Sequence, residues 1–351
     1  MAPAPTPRQF VVHHPHVPAG SVRQNPNVYA AADSLQLDKA VADIPKRVYV
    51  PNNLADTVDV IDPISYKVIG HFSVGRSPQH ITPSWDLQRL YVDNTSGNTL
   101  TVIDPRNGQP TGLIPVADPY NLYFTPDGTK AIVVAERQRR LIFCDTRTWQ
   151  TIKSVPVRWR GLDHLDFSAD GRYLLASTEF SGELVRVDTV SMAVTGEMPV
   201  GGLPVDVRLG PDGSVFFVAN QSRNGVSVID PVHLREIAFI STGRGAHGLY
   251  VSRDAKSLYV SNRGEGTISV VDFATRRVSG TWKVGGSPDM LQLSPDGRQL
   301  WASNRYNATI SVIDTATGQL LHVIRVGPGP HGLSYFPEPG RHSLGHNGIY
   351  R

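Results

Sequence analysis

The sequence predicts an all-β fold in which short strands are wound into a closed ring, and three observations carry that prediction. A strand-and-turn pattern returns every 42 residues or so, and each return carries tight-turn residues at matching offsets. The first return lacks its opening strand, which reappears alone near the far end of the chain. Together they specify a single seven-bladed β-propeller with four-stranded antiparallel blades, the first of them closed by a C-terminal strand.

The unit from Ser287 to Gly327 shows the pattern: MLQLS, QLWAS, TISVID and LLHVIRV are β-rich runs separated by PDG, RYNA and TATG. One column sets the register, at Asn52, Asn94, Glu136, Thr178, Asn220, Asn262 and Asn304, and its seven positions give seven blades. The repeated asparagines are expected to tie the loop between strands two and three to its own backbone. A second column, Asp62, Asp104, Asp145, Asp188, Asp230, Asp272 and Asp314, ends each third strand and reads as turn chemistry.

Closure follows from the two incomplete ends. The first unit opens at RVYVPNN, a second strand, whereas Pro330 to Tyr335 matches a first strand with no second strand after it. Pairing the two leaves no blade edge exposed. Residues 1–42 form an N-terminal extension, 43–337 the propeller and 338–351 a C-terminal tail. Within the extension, DSLQLDKAVAD can make at most a short helix, and VVHHPHVPAG is extended and polar.

Composition agrees and excludes other classes. Hydrophobic residues make up 40% and charged residues 19%, with 32 Gly and 27 Pro, as many short strands and tight turns require. A net charge of +3 without a block of like charge gives no nucleic-acid tail. The single cysteine, Cys144, excludes an intrachain disulfide and a cysteine zinc site, and its place in LIFCD marks it as a buried small hydrophobe. No apolar run approaches the ~18 residues of a membrane span. MAPAPTPRQF lacks the layout of a secretory signal. The expected location is the cytoplasm, unless a leader peptide has been removed.

The recurring text, including RLYVDN at Arg89 to Asn94, SLYVSN at Ser257 to Asn262 and SVID at Ser311 to Asp314, resembles the seven-bladed YVTN propeller repeat family, which includes YncE-like proteins. The resemblance spans Val48 to Tyr335 and implies the fold. It implies no activity, because the matching residues serve turns and core.

Function is sought where the blades differ. The start of strand one and the end of strand two share a rim, and two successive columns at the strand-one starts read Gln79, Tyr120, Asp163, Val205, His247, Asp289, His331 and His80, Asn121, His164, Asp206, Gly248, Met290, Gly332. The next position is uniformly apolar, at Ile81, Leu122, Leu165, Val207, Leu249, Leu291 and Leu333, as an inter-blade core requires.

His80, His164, His247 and His331 therefore converge on the channel and suit a mononuclear transition-metal centre on the axis. Neutral imidazoles favour iron or copper, with zinc or manganese as alternatives, over calcium or magnesium. Asp163, Asp206 and Asp289 can orient these rings or ligate directly. Two histidines stand in one column and two in the next, so strand alternation can send them to different neighbours. The tail can fold back beneath the disc or reach over the rim, which would place His342 and His346 near the channel, and the sequence does not choose between these routes; His13, His14 and His16 belong to the extension.

On the same rim Arg137, Arg263 and Arg305 are candidates for holding an anionic small-molecule substrate, and Glu136 and Glu179 for proton transfer. No GxSxG, HExxH, P-loop, dinucleotide or EF-hand motif occurs in a fitting context. Three readings follow. A four-histidine centre is similar to the non-heme iron site of carotenoid-cleaving oxygenase propellers, whose sequence motifs are missing here, and points to an oxidoreductase. A His/Asp centre resembles those of propeller lactonases and streptogramin-type lyases and points to a metal-dependent hydrolase or lyase. The third reading is a non-catalytic scaffold whose disc face docks a protein or glycan partner through loops such as NQSRNG and NRGEG.

Overall fold

Strand pairing follows the sequence repeat. A computed structural model of the chain describes residues 27–346 and 349–351; His13, His14 and His16 lie outside them. Seven separate four-stranded sheets succeed one another along the chain. Numbered in chain order, blade one is ordered Ser334–Phe336, Arg47–Asn52, Thr57–Asp62, Lys67–Ser73 from the axis outward. Its closure pairs Val48 with Tyr335 and Tyr49 with Ser334, antiparallel. The closing strand is shorter than the expected Pro330–Tyr335, because only a single bridge, Asn52 with Pro330, holds the earlier part.

Between neighbouring blades lie Ile81, Leu122, Leu165, Val207, Leu249, Leu291 and Leu333, each at most 1% exposed. Burying one such side chain is worth about 1.5–3 kcal/mol, so this belt is a main source of the ring's cohesion. The outer strands alternate exposed and half-buried residues, as in Arg277–Lys283. Cys144 is buried.

The aspartate column does what its turn chemistry predicts. Asp314, for example, accepts from the backbone N–H of Ala316 and Thr317 and from the Thr317 hydroxyl. The asparagine column differs from expectation. Asn94, Asn262 and Asn304 each donate to two hydroxyls on the third strand, such as Thr309 and Ser311 for Asn304, because rotatable hydroxyls five and seven residues on stand opposite. Only Asn220 bonds backbone, at Gly201 O and Leu203 N.

The segments flanking the ring cross the face opposite the rim. The extension supplies a four-residue helix, Ala30–Asp33, just before the stretch where a helix was expected. The Tyr29 hydroxyl donates to Leu209 O at 2.8 Å. The C-terminal tail bonds Phe124 N through Leu344 O, Asp166 through Arg351 and Arg253 through Glu338. Leu344 and Ile349 pack with Tyr123, Leu165 and Phe167, while Tyr350 packs with Tyr49 and Val41. The tail thus lies across the far ends of several innermost strands. No helix among the described residues is long and apolar enough to cross a membrane.

Candidate metal centre

A β-bulge prepares the site. In blades two, four, six and seven the innermost strand slips register against its neighbour, between Pro78 and Ile81, Leu162 and Leu165, Ala246 and Leu249, and Pro288 and Leu291. An extra residue in the bulge breaks strict alternation, so both residues of the two polar columns can face the axis. His80, Asp163, His164, His247 and Asp289 all stand in these bulges.

Among the described residues, two groups of three can hold an ion: His80, His164 and His346, and His247, Asp289 and His331. All six are buried, and within each trio the candidate ligand atoms lie within 4.8 Å of one another. The four histidines of the two columns thus divide by column. His346 comes from the tail, placed where Gly345 bridges Tyr123. His342, by contrast, stacks on Trp85 at 5.1 Å and stays out of the channel.

In the first trio His164 Nε2 and His346 Nε2 face each other at 3.1 Å. Two imidazole nitrogens on one tetrahedral ion at 2.0–2.1 Å would be roughly 3.3 Å apart. His164 Nδ1 lies 2.7 Å from Asp163 Oδ1, which keeps the proton on Nδ1 and turns the Nε2 lone pair inward. Neither ring nitrogen of His80 nor His346 Nδ1 has a hydrogen-bond partner, and all three are buried. Such orphaned nitrogens are costly without a ligand.

Burial, reinforced by the neighbouring histidines, holds the pKa of His80 and of His346 well below the usual imidazole range, so both are neutral and ligand-ready at pH 7. His164 moves upward: burial alone would lower it, but the Asp163 carboxylate outweighs that. Gly332 makes room for the cluster, since a methyl on its Cα would overlap the His80 ring.

The second trio is richer in charge. His247 Nδ1 lies 2.9 Å from Asp289 Oδ1, and His331 Nε2 lies 3.6 Å from Asp289 Oδ2. Burial would raise Asp289, but Arg263, His247 and His331 hold its carboxyl well below the carboxylate range. The rings of His80 and His331 are 4.4 Å apart, so the trios are neighbours across the axis. Tyr120 stands edge-on to His80 at 5.6 Å.

Other sequence-selected residues take different places. Asp206 joins neither trio; it accepts from Val207 N, Leu249 N and Arg208 Nη1, a buried pair that uses its lone pairs on the fold. Arg137 is bound to Asp118 at 2.6 Å and to Thr95 O at 2.7 Å. Arg263 binds Asp289 and His247, leaving Arg305, 3.9 Å from Asp289, the freer guanidinium. Glu179 accepts from Gln221, and burial together with Asp163 raises its pKa to about 7. Glu136 is raised by the same two causes and by Asp118. Arg208, three residues beyond the first polar column, is buried against Asp206, and its charge adds to burial and the neighbouring histidines in lowering the pKa of His346.

Several solved structures share the ring. A hydrazine synthase chain from Kuenenia stuttgartiensis is 20% identical over 80% of this chain and 99% of its own, with a TM-score of 0.67. A functionally unknown protein from Desulfotomaculum acetoxidans is 16% identical over 84% and 99%, at 0.72. A putative 6-phosphogluconolactonase from Bacteroides uniformis is 17% identical over 84% and 100%, at 0.69. At these identities the likeness concerns the fold alone. No curated protein matches the chain. Residues 23–339 match the YncE-like beta-propeller family, and with seven four-stranded sheets and a C-terminal closing strand, the chain belongs to that family.

Proposed function

We propose that the channel binds one transition-metal ion through His80, His164 and His346 and that the protein is a metal-dependent enzyme acting on a small anionic molecule. The observation that carries this reading is the meeting of three buried imidazoles, two held neutral, the third backed by a carboxylate. Three nitrogen donors suit copper, iron or zinc and disfavour calcium and magnesium. Iron or copper would supply electron transfer there, which favours an oxidoreductase over a hydrolase.

The chain's own residues would do the rest. The tail crosses the far face, so the substrate approaches from the rim, past Arg305, which can attract its negative charge. Glu179, near half-ionised at neutral pH, can exchange a proton with a molecule bound beside Tyr120. Asp163 orients His164 and offsets part of the ion's charge.

The test is elemental analysis of protein purified without an affinity tag, repeated for His164→Ala and His346→Ala. About one ion per chain is expected in the natural protein and little in either variant. Sub-stoichiometric metal after reconstitution with iron, copper, zinc and manganese in turn would overturn the reading. A second reading, a protein-docking scaffold, is favoured by Leu54, Phe180 and Tyr306, exposed on loops between strands two and three. It requires a stoichiometric partner whose binding ignores chelator and fails when these three residues become serine.

A further inference from the structure

The second trio has an unusual pairing of lone pairs. His331 Nδ1 lies 2.9 Å from the side-chain oxygen of Gln79, so the ring carries its proton there and Nε2 is an acceptor. That nitrogen points at Asp289 Oδ2, 3.6 Å away, and neither atom has another hydrogen-bond partner. Two buried acceptors facing each other repel unless a cation joins them. His247 Nδ1 lies 2.9 Å from the carboxylate's other oxygen, Oδ1.

Arg305 Nη1 stands 3.9 Å from Oδ2, too far to join the two, and the cation bound to the trio is Arg263, on the carboxylate's other oxygen. Its Nε donates to Asp289 Oδ1 at 2.9 Å, and its Nη2 contacts both that oxygen and His247 Nε2. Gln221 Oε1 accepts from Nη1 at 3.3 Å, and the Tyr306 ring lies 5.8 Å from the guanidinium carbon, so the group is held in place from outside. We propose that His247, Asp289 and His331 form a second cation site, filled by the guanidinium of Arg263, and that removing Arg263 opens it to a divalent transition-metal ion.

Two imidazoles and one carboxylate are a donor set that binds zinc in many proteins. A guanidinium and a metal ion cannot share it, because both need His247 Nε2 and the Asp289 charge. Arg263 therefore sets the number of ions in the channel at one. The first trio has its own donors, so the two sites can succeed or fail separately.

The experiment counts zinc ions per chain after equilibrium dialysis and elemental analysis, for the natural protein, Arg263→Gln and Arg263→Gln with Asp289→Asn. One, two and one are expected. Without metal Arg263→Gln should melt below the natural protein, its buried Asp289 uncompensated, and zinc should raise its melting temperature more. Arg263→Met, which keeps the apolar stem, should also bind two. Two zinc ions in the natural chain, or no more zinc in folded Arg263→Gln and Arg263→Met than in the natural chain, would overturn the proposal. So would failure of both to fold in zinc-supplemented refolding, since the ion is expected to replace the guanidinium's charge. No zinc in the natural chain but one in Arg263→Gln would keep this site and remove the first.

Discussion

His164 and His346 meet nitrogen to nitrogen at 3.1 Å across a sequence separation of 182 residues. Blade four supplies one and the tail the other, so the contact joins the middle of the ring to the strap beneath it. Replacing His346 by alanine should remove a ligand while leaving the closing strand Ser334–Phe336 in place. The expected result is a folded propeller with normal β-sheet circular dichroism and at least tenfold weaker zinc binding, in line with about 10–100-fold for lesser disturbances of metal sites. Unchanged affinity by competition with a chelator would remove His346 from the site.

Asp163→Asn keeps the size of the side chain but removes the charge that fixes the His164 proton. Metal affinity should fall about 10–100-fold with little change in the unfolding midpoint of metal-free protein. An affinity equal to the natural chain's would mean that Asp163 does not orient the ligand.

Gly332→Ala tests the packing around His80. The added methyl overlaps the imidazole, and overpacking of this kind costs about 1–3 kcal/mol. Urea melts should show that loss, and ion binding should weaken because His80 is displaced. A variant as stable and as tightly loaded as the natural protein would contradict the geometry.

Acid should destabilise the metal-free protein. His80, His331 and His346 have folded pKa values well below 6.5, and His342 falls to about 4, with burial the first cause throughout. Below pH 6.5 the unfolded chain takes up protons that the folded chain refuses. Their contribution is therefore complete above that pH and shrinks as pH falls, by up to about 1.4 kcal/mol per pH unit for each such ring. His247 is lowered as well, which makes five rings, while His164 and the buried carboxyls of Asp93, Glu136 and Glu179 are raised and oppose the trend, so the decline is the difference between the two sets. Urea midpoints measured from pH 7.5 down to about 4.5 should decline, and a flat profile would refute the assignment.

Removing residues 329–351 takes away the strand that pairs with Arg47–Asn52 and should give insoluble or partly unfolded protein through the exposed blade edge. A soluble, cooperatively melting product would show that the ring does not need this closure.

The ring was legible because its signals are local and repeated: a turn aspartate, an apolar residue between blades and a strand-two asparagine recur at fixed offsets whatever the rest of the blade does. The polar columns were legible for the converse reason, as places where blades differ. Two histidines in each column hinted at the division into trios, but strict alternation sends the two columns to different neighbours, and only the one-residue bulge lets both face the axis. His346 belongs to a tail without periodicity, so only folding reveals its route. Asp206 read as a ligand because the one signal against it is Arg208, two residues on in the same strand, which takes up its lone pairs.

The tail has a consequence in time. The residues from His331 to His346 provide a member of each trio and the strand that shuts blade one. A ribosome has already released six complete blades and three strands of the first before these residues leave its exit tunnel. The centre is therefore completed only after the rest of the ring has been made, and a nascent chain stalled before His331 should capture no ion. Under the proposed reading, a half-built chain would lack a ligand of each trio and could not hold the ion.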